Sequence, residues 1–162
     1  MVFSTKRHEE IDLNLIDNQL NMKKLLALLL IVLSFSACHT LTEKVEVKFP
    51  NGQPQIVRYY DKSDVVVKEV EYYESGQVRM EGGMKNGKRD GLWTAYFPDG
   101  RPQSIGYFED GMRTGQATVY QENGNLYEEG FYKKGKHCGK WKFYDEQGDL
   151  IKEVDFGEIE SE

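Results

Sequence analysis

The sequence is poor in the residues from which active centres and covalent frameworks are built. Its 162 residues include two cysteines, three histidines and four prolines. His8, His39 and His137 are far apart, and none comes with a serine or cysteine nucleophile and a recurring third group. Triad chemistry therefore has no material, and no catalytic residue is expected. His137 and Cys138 are adjacent, but two neighbouring ligands without further His or Cys cannot close a zinc site. A basic excess is also missing. Net charge is −6, and residues 1–38 carry four charges of each sign, so the remainder keeps that balance. Phosphate-backbone binding normally shows a basic stripe, so nucleic acid is not an expected partner. No apolar run has bilayer length. Leu25–Ala37 covers 13 residues, about 20 Å as a helix against roughly 30 Å of hydrocarbon.

Glycine and aromatic residues are plentiful instead: 16 glycines, with 12% of the chain Phe, Trp or Tyr. A chain this aromatic is not expected to be disordered. The glycines are periodic. Gly76, Gly100, Gly124 and Gly148 are spaced by 24 residues, as are Gly87, Gly111 and Gly135, and Gly91, Gly115 and Gly139. The units are 72–95, 96–119, 120–143 and a partial copy over 144–156, with an acidic tail at 157–162. Residues 45–71 read as a degenerate first repeat with Ser63 and Val67 at two glycine positions, as terminal copies often are. A period of this length signals a repeat architecture.

Each unit reads as a β-hairpin. Ser-Gly, Asp-Gly, Asn-Gly and Gln-Gly pairs head the repeats, with glycine supplying positive φ. Residues 77–84 form one strand, Gly87-x-x-x-Gly91 turns the chain, and 92–97 form the next. Trp93, Ala117 and Trp141 share a position, and Ala95, Val119 and Phe143 lie two residues on. Residues two apart share a face, so these make one apolar stripe. Gly82, Gly106 and Gly130 sit inside the first strand, where glycine commonly marks a close approach. Rings from neighbouring repeats are expected to fold over them.

The N-terminal region has a different character. Residues 1–21 are polar and unrelated to the repeats, and translation is expected to start at Met22. Met22-Lys23-Lys24, the run Leu25–Ala37 and Cys38 have the order of a secretory signal over 22–38. Phe35-Ser36-Ala37-Cys38 resembles the bacterial lipobox, which implies lipidation of Cys38 and a membrane anchor of several acyl chains. His39 follows where an inner-membrane retention aspartate is absent, which favours the outer membrane. Residues 39–44 then form a tether. With Cys38 lipidated, Cys138 is left as an exposed free thiol in a turn.

The repeats resemble the MORN-variant family, with the pattern Y-x-x-x-G-x-x-x-x-x-G-x-(F/Y)-x-x-G-x-x-x-G-x-W over about residues 45–156. They are also similar to those of the YwqK-type antitoxin family. The resemblance implies an all-β fold: an elongated, single-layer, twisted antiparallel sheet of stacked hairpins. About nine strands at 4.8 Å spacing would extend for roughly 40 Å. It further implies a non-enzymatic scaffold that binds an unidentified protein. An antitoxin or immunity role against a toxin, or an envelope spacer without a specific partner, are the alternatives. The chain is expected to be monomeric and to need no cofactor.

Two candidate surfaces follow. Tyr72, Trp93, Tyr96, Tyr120, Trp141 and Tyr144 form a candidate binding face, although core filling is the ordinary reading of such aromatics. The repeat heads carry Glu74, Asp99, Glu122, Asp145 and Glu146, while the opposite turns carry Lys88, Arg89, Arg113, Lys133 and Lys136. The second set forms a candidate basic edge facing anionic lipid or an acidic partner, with a solvated edge as the ordinary reading.

Overall fold

The computed structural model describes residues 41–158. The expectations for residues 1–21, the signal segment, Cys38 and His39 lie outside them. Within the described residues, ten strands make one antiparallel sheet in strict chain order. They are β1 (Thr42–Lys48), β2 (Pro54–Tyr60), β3 (Val66–Tyr72), β4 (Val78–Lys85) and β5 (Lys88–Tyr96), followed by β6 (Pro102–Glu109), β7 (Met112–Tyr120), β8 (Leu126–Lys133), β9 (Lys136–Tyr144) and β10 (Leu150–Asp155). The all-β expectation holds, with ten strands in place of about nine. β1 begins at Thr42, inside the stretch read as a tether.

Two kinds of turn alternate. At the heads, Phe97 N donates to Arg101 O at 2.8 Å and Gly100 N to Phe97 O at 2.9 Å, and the same pair of bonds recurs at Phe49, Tyr73, Gln121 and Asp145. Gly100 and its equivalents have φ near +90°, which only glycine adopts without cost. The opposite turns are shorter than the sequence suggests. Asn86-Gly87, Asp110-Gly111 and Lys134-Gly135 all have positive φ at both residues, the signature of a two-residue turn that matches strand twist.

The segment from Gly87 to Gly91 is therefore not a turn. β5 starts at Lys88 and carries Gly91 within it at φ +77°. Gly82 pairs with Trp93, but the next pair is Met84 with Arg89, so β5 accommodates two extra residues. β7 and β9 show the same slip between Gly106/Tyr107 and Glu129/Phe131. Such a bulge re-aims side chains near it, and here it frees room for large rings against the sheet.

The core lies mainly on the face that holds Trp93, Ala95, Phe97, Ala117 and Trp141, all buried. The sequence-derived apolar stripe is thus present. Rings cover two of the three strand-interior glycines, and each comes from the following strand of the same repeat, not from a neighbouring one; Gly106 has no ring over it. Gly82 is under Trp93 and Gly130 under Trp141. The first repeat solves the same position differently. Arg58 stands opposite Glu69, at the places of Gly82 and Trp93 one period on, and its Nε donates to Glu69 Oε2 at 2.8 Å. Glu69 is 7% exposed, so this partner is what makes its burial tolerable.

Candidate functional site

Because side chains alternate along a strand, Trp93 and Tyr96, three residues apart, fall on opposite faces. The six aromatics proposed as one binding face are therefore split. Trp93 and Trp141 are core, 3% and 0% exposed. Each indole donates inward, Trp93 Nε1 to Gly83 O at 2.9 Å and Trp141 Nε1 to Phe131 O at 3.0 Å. Tyr72, Tyr96, Tyr120 and Tyr144 are half-buried and remain on the other face.

The proposed basic edge is also redistributed. Arg89 and Arg113 fold back onto the tryptophan face. Arg89 lies 4.1 Å from the Trp93 ring centre and pairs with Glu71 at 3.1 Å, and Arg79 also bonds Glu71. Arg113 lies 5.5 Å from the Phe108 ring and 5.3 Å from the Tyr132 ring. In the next repeat His137 takes that position, 4.0 Å from Trp141 and 4.9 Å from Phe156, with Nε2 3.0 Å from Tyr132 Oη. Cations over ring faces are favourable contacts, and the arginine stems cover apolar surface as well. Of the five basic residues, Lys88, Lys133 and Lys136 stay exposed at the turns.

Arg113 has a further task. Ala117 leaves the middle ring of the series missing, and the Arg113 guanidinium fills part of the gap, with Nη1 3.7 Å from where a β-carbon on Gly106 would stand. Cys138 is a half-buried free thiol, with Sγ 3.5 Å from Phe131 O, not an exposed one. Among the described residues no group of three or more His, Cys, Asp or Glu could hold a metal ion. No helix among them is long and apolar enough to cross a membrane.

The tyrosine face carries a polar cluster that recurs two repeats on. Tyr96 Oη donates to Glu81 Oε1 at 3.0 Å and Tyr144 Oη to Glu129 Oε1 at 2.8 Å. Lys68 Nζ reaches Glu81 Oε2 at 2.7 Å, and Lys142 Nζ reaches Glu129 Oε1 at 3.7 Å. The hydrogen bond from Lys68, ahead of that from Tyr96, holds the Glu81 carboxyl below its ordinary range. Burial, then the Glu81 carboxylate, pushes the Tyr96 phenol up. Tyr144 is pushed up first by its bond to Glu129. Between these pairs stands Ile105, which cannot accept from Tyr120. Sequence reading missed the glutamates; their spacing of 48 residues, with Ile105 midway, was the available signal.

Each carboxylate lines a shallow groove. One, of about 400 Å³, is bordered by Lys68, Glu81, Gly83, Leu92, Thr94 and Tyr96. The other, of about 320 Å³, is bordered by Gln116, Glu129, Phe131, Lys140 and Lys142. Adding 48 to the first five numbers of the first groove yields the second. Leu92, Tyr107 and Phe131 beside the grooves are 48%, 47% and 52% exposed.

A family model described as MORN repeat variant matches residues 66–86, 89–110, 113–134 and 138–156, together just over half of the chain. No curated protein matches. Among solved structures, similarity is found to a mutant of S. aureus TarM in complex with fondaparinux, alpha-GlcNAc-glycerol and UDP. Identity is 14%, with 80% of this chain and 22% of that one covered and a TM-score of 0.30. A second TarM crystal structure is 14% identical over 78% of this chain and 21% of that one, with a TM-score of 0.29. The chain thus spans about a fifth of the length of these structures.

Proposed function

The chain belongs to the MORN repeat variant family, and from that premise we propose a non-enzymatic scaffold that binds a protein partner at a bacterial cell envelope. The observation that carries this reading is the unbroken ladder: each strand from β1 to β10 is paired with the next. Turn side chains also link successive repeats. Tyr73 Oη donates to Tyr96 O at 2.7 Å, Gln121 Nε2 to Asp145 O at 2.6 Å, and Asn123 Nδ2 to Glu146 O at 2.7 Å. A ladder tied at both strands and turns supports a fixed surface, which lowers the ordering cost of binding.

The envelope address rests on Met22-Lys23-Lys24, the run Leu25–Ala37 and the lipobox-like Phe35-Ser36-Ala37-Cys38. Intact-mass spectrometry of membrane and soluble fractions from the native host tests it. A membrane species beginning at Cys38 with diacylglyceryl and acyl mass is expected; an unmodified soluble species retaining Cys38 within a longer chain overturns the address. Cross-linking followed by co-purification from detergent extract tests the scaffold. One stoichiometric protein is expected. A toxin as that protein specifies an immunity role, and no partner leaves a structural spacer. Charge reversal at Lys88 and Lys136 tests whether the remaining basic edge contributes, through loss of partner recovery or of anionic-vesicle binding.

A further inference from the structure

The two grooves of the tyrosine face occupy the same repeat positions two units apart. Glu81 and Glu129 occupy one position in them, Thr94 and Lys142 another, and the grooves lie four strands apart. At about 4.8 Å per strand that is roughly 19 Å. Between them the face carries no charge: Ile105 and Thr118 are half-buried and directly paired across β6 and β7, and Leu92 and Tyr107 are exposed and directly paired across β5 and β6. Charged groove, uncharged saddle, charged groove is a pattern for a polymer with a repeating unit rather than for one small molecule.

The chemistry of the lining narrows the polymer. Each carboxylate has a lysine within salt-bridge distance, and Lys140, the second cation of the groove at Glu129, is paired with Glu153 at 3.1 Å, so neither groove favours a strongly anionic or cationic chain. A peptide laid on a sheet face finds no free backbone donors or acceptors there, because those groups are used in the ladder. Its own amides would lose water without replacement. Sugar hydroxyls differ. They can donate to Glu81 and Glu129, whose carboxylates offer several lone pairs beyond those already used, and accept from Lys68 and Lys142. The C–H faces of pyranose rings match exposed rings and aliphatic side chains such as Tyr107, Phe131 and Leu92. A few placed polar groups among apolar walls is the ordinary composition of a ligand site.

We infer that the tyrosine face binds a neutral polysaccharide chain, its hydroxyls held at Glu81 and Glu129 and its rings stacked on Leu92, Tyr107 and Phe131. Such binding goes beyond the protein scaffold and does not require the envelope address.

Calorimetric titration of the full chain with cellohexaose and with chitohexaose tests this. At least one hexasaccharide is expected to bind with Kd below about 1 mM. The Tyr107→Ser/Phe131→Ser variant should weaken it tenfold or more while circular dichroism shows the sheet still folded at the titration temperature. Glu81→Gln/Glu129→Gln should also weaken it. If neither sugar binds, or if the Tyr107→Ser/Phe131→Ser variant binds as tightly as the parent, the inference fails. It also fails if footprinting shows a co-purified protein protecting Tyr107 and Phe131 while no sugar binds.

Discussion

Gly82 and Trp93 are direct cross-strand partners, and the indole occupies the space that a β-carbon on residue 82 would need. Trp141 stands in the same relation to Gly130, whereas Gly106 faces only Ala117 and the end of Arg113. Three glycines at one repeat position thus do two different jobs. At 82 and 130 the missing side chain is a steric requirement. At 106 it is not.

Alanine substitution should separate these cases. Gly82→Ala and Gly130→Ala force a buried ring off its position, at a cost of about 1–3 kcal/mol each. Gly106→Ala meets nothing closer than 3.7 Å and should be neutral or stabilising by about 0.5 kcal/mol, through a less flexible unfolded chain. Urea unfolding of the three variants measures the order. Equal losses at all three sites would contradict the steric account.

Arg58 and Glu69 replace that glycine–tryptophan pair in the first repeat. Arg58→Gly alone removes the counter-ion of a buried carboxylate, and Glu69→Trp alone drives an indole against an arginine. Both singles should destabilise. The double variant restores the pairing found at 82 and 93, and a double-mutant cycle should return a favourable coupling of at least about 1 kcal/mol. Additive losses would show that the two positions do not substitute for each other as a unit.

Lys134 adopts φ +49° where Asn86 and Asp110 hold the same turn position. A lysine bears the full left-handed penalty that asparagine largely escapes. Lys134→Asn should therefore stabilise the chain by about 0.5 kcal/mol, roughly the gain of other turn-compatible changes. A thermal melt that falls would refute this.

Stability should fall at both ends of the pH scale for different groups. The folded-state pKa of Glu81 is lowered from 4.5 by Lys68 and Tyr96, so its contribution is present above pH 4.5 and is lost as the pH falls through the lower folded value. Tyrosines shift the other way. Burial, with Tyr72 and Glu43, pushes Tyr59 up to about 12, and Tyr96 and Tyr144 are raised too. A raised folded pKa means stability fully present below pH 10 and lost as pH rises towards 12. Chemical denaturation across pH should show a plateau between these limits. Tyr59→Phe should remove the highest step in the ultraviolet titration of tyrosine.

Much of the architecture was written in short-range chemistry. The 24-residue glycine series set the repeat length and the head turns, because a residue at φ near +90° must be glycine whatever surrounds it. Alternation placed Trp93, Ala117 and Trp141 in one stripe for an equally local reason. The separation of Trp93 from Tyr96 was legible too, since three residues along a strand reverse the face. Less legible was the 48-residue alternation, in which Glu81, Ile105 and Glu129 vary in step with Trp93, Ala117 and Trp141. It shows only when two sequence columns are compared together.

What the sequence by itself determined, then, is the period, the antiparallel hairpins and the apolar stripe, all properties of residues a few places apart. Tertiary structure decided the rest: that Asn86-Gly87 alone turns the chain, that Gly91 bulges within β5, and that Arg89 and Arg113 lie on rings instead of at an edge. Those outcomes depend on pairing between strands. The room a two-residue bulge opens is filled by an indole at Trp93 and Trp141 and in part by the Arg113 guanidinium at Ala117, and a guanidinium leaves water only when a neighbouring strand supplies a carboxylate or an aromatic face to receive it.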